Sequence, residues 1–319
     1  MHPSIRLYSR IEPVNAVLVA AWPGMGNVAF GAASYLRENL KAVKFADIEP
    51  EDVFYQTGVQ IREGLLDIPG LPQSEFYFYR DPEGRNDIII FIGESQPVME
   101  KEYELARRVV EVAVLLKVNE LITFAATPVN ITHRSEPGVW GVATDGELLS
   151  ALPSLGVKVM DAGHIGGLNG LLLGVGKESG IHGICLLGEI PFYTAKIENP
   201  KSSLAILKVF MKYKHISLGL DGLTQMAHFV EEEVEKVSKT TKQTFFGNEE
   251  AGDSKQDYES GKEETETVTD EVRKRIERLF EAAAEDISKA GELKRELDRW
   301  SLFVEYEDRF LDLFGRKNL

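Results

Sequence analysis

The strongest constraint in this sequence is a set of short apolar runs, each passing into a glycine-bearing loop. They are Val14–Ala21, Asp87–Ile92, Glu120–Ala125 and Ile181–Leu187. Runs this short, apolar almost throughout and rich in β-branched residues, read as strands covered on both faces. Between them the apolar period changes to that of a helix. The helices expected are Val28–Leu40, Glu100–Lys117, Leu168–Ser179, Pro200–Lys214 with its proline near the start, and Asp221–Thr240. Shorter strands are expected at Ala42–Ala46, Glu75–Tyr79 and Val157–Met160. A short helix is expected over Thr144–Leu152, capped by Thr144 with Glu147 three residues on. Alternation of this kind predicts a three-layer α/β/α sandwich around a mostly parallel central sheet.

Charge divides the chain. The 319 residues carry 36 Lys and Arg against 51 Asp and Glu, a net −15. Residues 248–271 hold ten of the acids and only two lysines, so −8 lies in 24 residues. That stretch has too few large apolar residues to offset the entropy of ordering, so it reads as a disordered linker. The expected organisation is an α/β body over 1–245, an acidic linker over 246–268 and a helical segment over 269–319. In the last segment apolar residues recur at Val272, Ile276, Leu279, Ala283 and Ile287, then at Leu293, Leu297, Trp300 and Val304. This spacing suits a coiled-coil-like seam, or a helical hairpin turned at Gly291. Such a segment either docks on its own body or serves as an arm for a partner.

Several classes of function are excluded or disfavoured. The acidic balance argues against a nucleic-acid-binding face and against docking on anionic lipid. One cysteine rules out an internal disulfide and a cysteine-based zinc site, and the six histidines lack zinc-ligand spacing. No metal or cofactor is expected. Pro13–Leu36 carries no charge, but Pro23, Gly24 and Gly26 interrupt it, and Ala16–Trp22 is barely the length of a signal-peptide apolar region. The expected location is the cytoplasm.

Ligands of parallel α/β sheets bind beyond the carboxyl ends of the strands. Here those ends carry Trp22-Pro23-Gly24-Met25-Gly26-Asn27, Gly93-Glu94-Ser95-Gln96-Pro97, His164-Ile165-Gly166-Gly167 and Gly188-Glu189-Ile190-Pro191. Glu94 and Glu189 each follow a glycine. If their strands are parallel neighbours, both carboxylates and His164 share one rim, as acid/base groups would. The commoner use of a carboxylate there is to accept backbone N–H bonds. Cys185, inside an apolar run, reads as an inert buried thiol. Gly24-x-Gly26-x-x-Ala29, with Asp47 further on, also satisfies a dinucleotide-binding spacing, although Trp22-Pro23 is an odd approach to the tight turn.

Taken in order, Trp22–Asn27, Gly93–Pro97, Gly141-Val-Ala-Thr-Asp145, Ile165–Leu173 and Ile184–Pro191 resemble the proteasome-assembly-chaperone family, second-chaperone type, some members of which are labelled ATP-grasp-like. The resemblance covers about residues 10–220. It implies a sandwich like that of nucleoside phosphorylases and hydrolases, self-association, and binding of proteasome α-type subunits during ring assembly. It carries over no catalytic residues. Archaeal members often end in hydrophobic–Tyr–any residue, whereas this sequence ends Gly315-Arg-Lys-Asn-Leu319, so docking by that route is not implied. The alternative is a nucleoside- or nucleotide-binding protein, or a phosphorylase/hydrolase-type enzyme, using Glu94, Glu189 and His164. Phosphate handling would want a cation, and Arg134 is the nearest candidate.

Overall fold

The computed structural model describes residues 2–56, 58–246, 270–285 and 289–300, with single positions beyond. From residue 247 the expected acidic linker lies outside the described residues. Two compact units are present, Met1–Val237 and Ser238–Leu319.

The first unit begins with β1 (Ile5–Leu7), β2 (Val17–Ala21), α1 (Val28–Asn39) and β3 (Val43–Ile48). A small ribbon, β4 (Gln60–Arg62) and β5 (Leu65–Asp67), precedes β6 (Ser74–Tyr79), β7 (Ile88–Gly93) and α2 (Met99–Leu115). Then come β8 (Glu120–Val129), β9 (Val139–Ala143), α3 (Gly146–Ala151), β10 (Lys158–Val159), α4 (Leu168–Glu178), β11 (His182–Pro191), α5 (Pro200–Lys214) and α6 (Asp221–Phe246).

Nine strands form one sheet in the order β1-β3-β6-β7-β2-β8-β11-β9-β10. The centre, β7-β2-β8-β11, is parallel, as its uninterrupted apolar runs imply. The β1-β3-β6-β7 flank is antiparallel, as is β9 on β11, so the sheet is mixed rather than mostly parallel. Strand alternation sends Leu18, Ala20, Phe91 and Leu121 to one face, where α2 and α4 cover them with Leu105, Val109, Leu168 and Leu172. Val17, Val19, Ile90 and Ile122 point to the other face, under Ala32 and Leu36 of α1 and Ile206 and Phe210 of α5. The result is the three-layer sandwich.

Local rules explain two departures from the expected elements. Thr144 does not cap α3. Asp145 does, accepting from the N–H groups of Glu147 and Leu148 at 2.9 and 3.0 Å, while the Thr144 hydroxyl accepts from Gly183 N at 2.9 Å. Asp145→Ala is expected to cost about 1 kcal/mol, the usual loss for an N-cap, measured by chemical denaturation. Gly291 is not a turn. It lies inside α8 (Ala290–Arg299), which follows α7 (Asp270–Glu285). In this second unit Ile276, Phe280 and Ala283 of α7 bury themselves with Leu293 and Leu297 of α8.

The strands β1, β9 and the β4–β5 ribbon have no counterpart among the expected elements. The ribbon was legible in principle. Val59-Gln-Ile-Arg alternates, Glu63-Gly64 is a turn dipeptide, and both turn residues have positive φ (52° and 81°), the requirement of a type I′ hairpin.

Candidate functional site

Three of the four glycine-bearing segments, those after β2, after β7 and before α4, are joined to one another by side-chain bonds at the carboxyl end of the parallel centre. Trp22 leaves β2 fully buried, 4.9 Å from the Phe91 ring. The Asn169 side chain, from the first turn of α4, pairs with both polar groups of the Trp22 backbone: Oδ1 accepts from N at 3.0 Å, and Nδ2 donates to O at 3.2 Å. Gln96 does the same one loop over. Its Nε2 donates to Pro23 O at 2.7 Å, and its Oε1 accepts from Leu168 N at 3.2 Å. Three loops are therefore held by two amide side chains.

Glycine is required at two of these contacts. A Cβ on Gly93 would stand 2.3 Å from the Trp22 ring. Gly167 has φ +69°, and its Cβ would stand 2.4 Å from Gln96 Oε1. Pro97 is buried below, while His164 and Gly166 are exposed on the loop before α4.

The Met25-Gly26-Asn27 turn is joined to the segment between β11 and α5. Gly26 N donates to Ala195 O and Asn199 N donates to Gly26 O, both at 2.7 Å. Asn27 N donates back to Gly24 O at 2.9 Å, and its side chain reaches Glu198 at 3.4 Å. Backbone donors at Gly26 and Asn27 that a pyrophosphate would need are thus occupied. The strand bearing Asp47, β3, is also separated from β2 by β6 and β7. Asp47 is buried and accepts from Arg6, Tyr8 and Lys44. The dinucleotide spacing is met in sequence but not in space.

Glu94 and Glu189 do not stand on neighbouring strands. Their strands, β7 and β11, are separated by β2 and β8, a displacement of about 14 Å at the usual strand spacing. Glu94 Oε2 accepts from Gln73 N at 2.8 Å, tying the exit of β7 to the approach of β6. Glu189 lies within β11, because that strand continues to Pro191, with Gly188 opposite Val139 of β9. It is buried and accepts from Gly138 N at 2.7 Å, Trp140 Nε1 at 2.8 Å and Lys158 Nζ at 2.8 Å. This carboxylate therefore anchors β9 and β10 to the centre.

Burial pushes the Glu189 carboxyl up. The Lys158 ammonium, the Gly138 N–H and the Trp140 indole outweigh burial and hold it below the usual carboxylate range. A depressed pKa means that this contribution is present above the unfolded-state value, about 4.3, and is lost as pH falls through the folded value. The stability gap between the wild type and Glu189→Gln should therefore be full at pH 7 and narrow below pH ~4, as read by urea midpoints across that range.

Sequence reasoning missed a polar cluster beside Glu189. His133 contacts Glu235 through Nε2 at 2.7 Å and the Tyr193 hydroxyl through Nδ1 at 2.8 Å. Arg134 pairs with the same Glu235 at 3.0 Å, and Lys201 pairs with Glu231 at 2.9 Å. These bonds fasten the loop after β8 to α5 and α6. They surround a cavity of about 30 Å³, room for about one water. Arg134, the candidate phosphate cation, is thereby engaged by a carboxylate.

Fold and site together define an α/β/α sandwich whose strand-end loops are tied together by side chain–backbone bonds and carry exposed apolar residues. Met25 after β2, Val98 and Met99 after β7, and Phe192, Tyr193 and Ile197 after β11 are all exposed; Met99 is 83 % exposed. The PAC2 family profile matches residues 18–238, and the chain belongs to that family. PbaB of Pyrococcus furiosus, an archaeal proteasome activator, is 29 % identical with a TM-score of 0.64, over 73 % of this chain and 98 % of that one. PbaA of the same organism, an archaeal homologue of proteasome-assembly chaperone, is 24 % identical with a TM-score of 0.58, over 75 % and 94 %. Uncharacterized protein MJ1210 of Methanocaldococcus jannaschii is 31 % identical over 232 residues, 72 % of this chain and 86 % of that one. Among the described residues no helix is long and apolar enough to cross a membrane.

Proposed function

We propose that this protein is a non-enzymatic assembly factor that acts in the cytoplasm, self-associates, and binds α-type subunits of proteasome-like rings. The observation that carries this reading is the apolar rim at the carboxyl end of the parallel centre. Three of its loops are bonded to one another, and Met25, Val98, Met99 and Phe192 are exposed beyond three strand ends. Exposed apolar groups clustered at one end of a fold suit a protein partner rather than a small molecule. Membership of the PAC2 family and likeness to PbaB and PbaA support the same reading. The glycine-bearing motif loops then serve as the frame of a contact face. The acidic stretch serves as a tether, and α7 with α8 as an arm on it.

The test is co-expression with α-type subunits from the same organism, followed by native mass spectrometry. A complex is expected, and Met25→Glu with Met99→Glu should abolish it while leaving thermal melting unchanged, because both side chains are exposed. Well-folded partners that form no complex would overturn the proteasome reading. As a tether, the acidic stretch should be the first site of limited tryptic cleavage, at Lys255 or Lys262.

A further inference from the structure

A groove of about 240 Å³ lies between α1, the first turn of α5 and the start of α6. Its floor forms because α1 and α5 approach closely. A Cβ on Gly31 of α1 would stand 3.2 Å from the Ser203 hydroxyl of α5, and that hydroxyl donates to Val28 O at 2.9 Å. One wall is fixed by Tyr35, whose hydroxyl donates to Gly219 O at 2.8 Å, just ahead of α6. Phe30, Tyr35, Leu223 and Met226 give the groove its apolar surface. Leu223 is buried in the core, whereas Met226 is 52 % exposed and Phe229, one turn on, is 64 % exposed. Apolar side chains therefore continue from the groove along the exposed side of α6.

Charge decides what suits this groove. Its charged lining residues are Glu38 and Glu198, with no lysine, arginine or histidine beside them. Glu38 accepts from the neighbouring Arg37 through Oε1 at 2.7 Å, and Glu198 accepts from the Asn27 amide at 3.4 Å and meets no cation among the described residues. Over Asp221–Val237, α6 adds five acids against one lysine, and Glu232 and Glu233 are exposed. A second copy of net −15 is repelled from such a surface, and so are nucleic acid and anionic lipid. A lysine or arginine side chain suits it, because the carboxylates attract the charge while Phe30 and Tyr35 take the cation and its apolar stem. Met226 and Phe229 beside the groove call for apolar residues within a turn or two of that cation. Cation and apolar residues at such spacing are the pattern of a basic amphipathic helix.

We propose that the groove between α1 and α6 binds a basic amphipathic helix of a partner protein, with a lysine or arginine paired to Glu38 and Glu198 and apolar residues on Met226 and Phe229. The site goes beyond the rim described above and does not depend on the partner being a ring subunit. The test is fluorescence anisotropy of the full chain with a labelled amphipathic Leu/Lys peptide, beside a Leu/Glu peptide of the same pattern, at physiological ionic strength. Saturable binding of the Leu/Lys peptide alone is expected. Glu38→Gln with Glu198→Gln should weaken it about tenfold, the sum of two exposed ion pairs. Met226→Ser with Phe229→Ser should weaken it as much, with an unchanged melting temperature because both side chains are exposed. Glu12→Gln with Glu83→Gln removes the same charge from exposed positions elsewhere and should leave binding as it is. Equal weakening by that control pair would show attraction to overall charge and overturn the site. Failure of the Leu/Lys peptide to bind, equal binding of the Leu/Glu peptide, or groove variants that bind like the wild type would each overturn it as well. Weakening by the glutamine pair without weakening by the serine pair would assign the groove to a small polycation, with spermidine as the competitor that checks it, and overturn the helical partner.

Discussion

Trp22→Ala is expected to destabilise the first unit by about 3–5 kcal/mol, the range for removing a large aromatic from a core. The side chain is fully buried, packs on Phe91, and fills the space that Gly93 leaves open. Its backbone bonds to Asn169 do not depend on the side chain and remain in the variant. The loss should therefore come from the cavity and the lost burial, and be read as a lower midpoint in guanidinium with little change in slope. A loss under about 1 kcal/mol would show that the loops collapse to fill the space, and that the strand ends are less tightly packed than the geometry indicates. The converse change, Gly93→Ala, pushes a methyl into the same ring and is expected to cost about 1–3 kcal/mol by overpacking.

Lys214→Met is expected to cost about 3–5 kcal/mol, because it strips a buried carboxylate of its counter-ion. Glu120 opens β8 and is buried with Lys214 at the end of α5. Lys214 donates to one of its oxygens, and the Tyr213 hydroxyl donates to the other at 2.7 Å. Burial, reinforced by the Glu120 charge, pushes the Tyr213 hydroxyl pKa up, so the tyrosine remains a donor across the neutral range. Replacing both members, as Glu120→Met with Lys214→Met, should be much milder than the single change, since no unpaired charge remains. A double-mutant cycle by urea denaturation checks this. A double variant as unstable as the single one would mean that the pair contributes through packing and not through charge.

Much of the layer structure was legible in the amino-acid order, because it rests on local periodicity. Val17–Ala21 and Ile88–Gly93 are apolar at every position and became central strands. The stripe of Leu105, Val109 and Val112 became the buried side of α2. Strand direction was less legible. Ser74–Tyr79 alternates as a strand should, but alternation does not record whether the neighbour runs parallel or antiparallel. The site was least legible, because its bonds join residues far apart in sequence. Asn169 meets Trp22 across 147 residues, and Glu189 meets Gly138 across 51. The motif reading found Glu94 and Glu189 as glycine-preceded carboxylates, and their role as acceptors of backbone N–H bonds follows from that position. Their separation depends on strand order, which no local pattern contains.

The double amide clamp of Gln96 and Asn169 has a consequence for how this molecule would meet a partner. Loops held by four side chain–backbone bonds have already lost much of their freedom before any encounter. Docking on them then carries a smaller ordering entropy than docking on free loops, where each immobilised side chain costs about 0.5–1.5 kcal/mol. The face is preorganised, so free and bound backbones should nearly superimpose. Substitutions in the apolar rim should accordingly act on how long a complex lasts more than on how fast it forms.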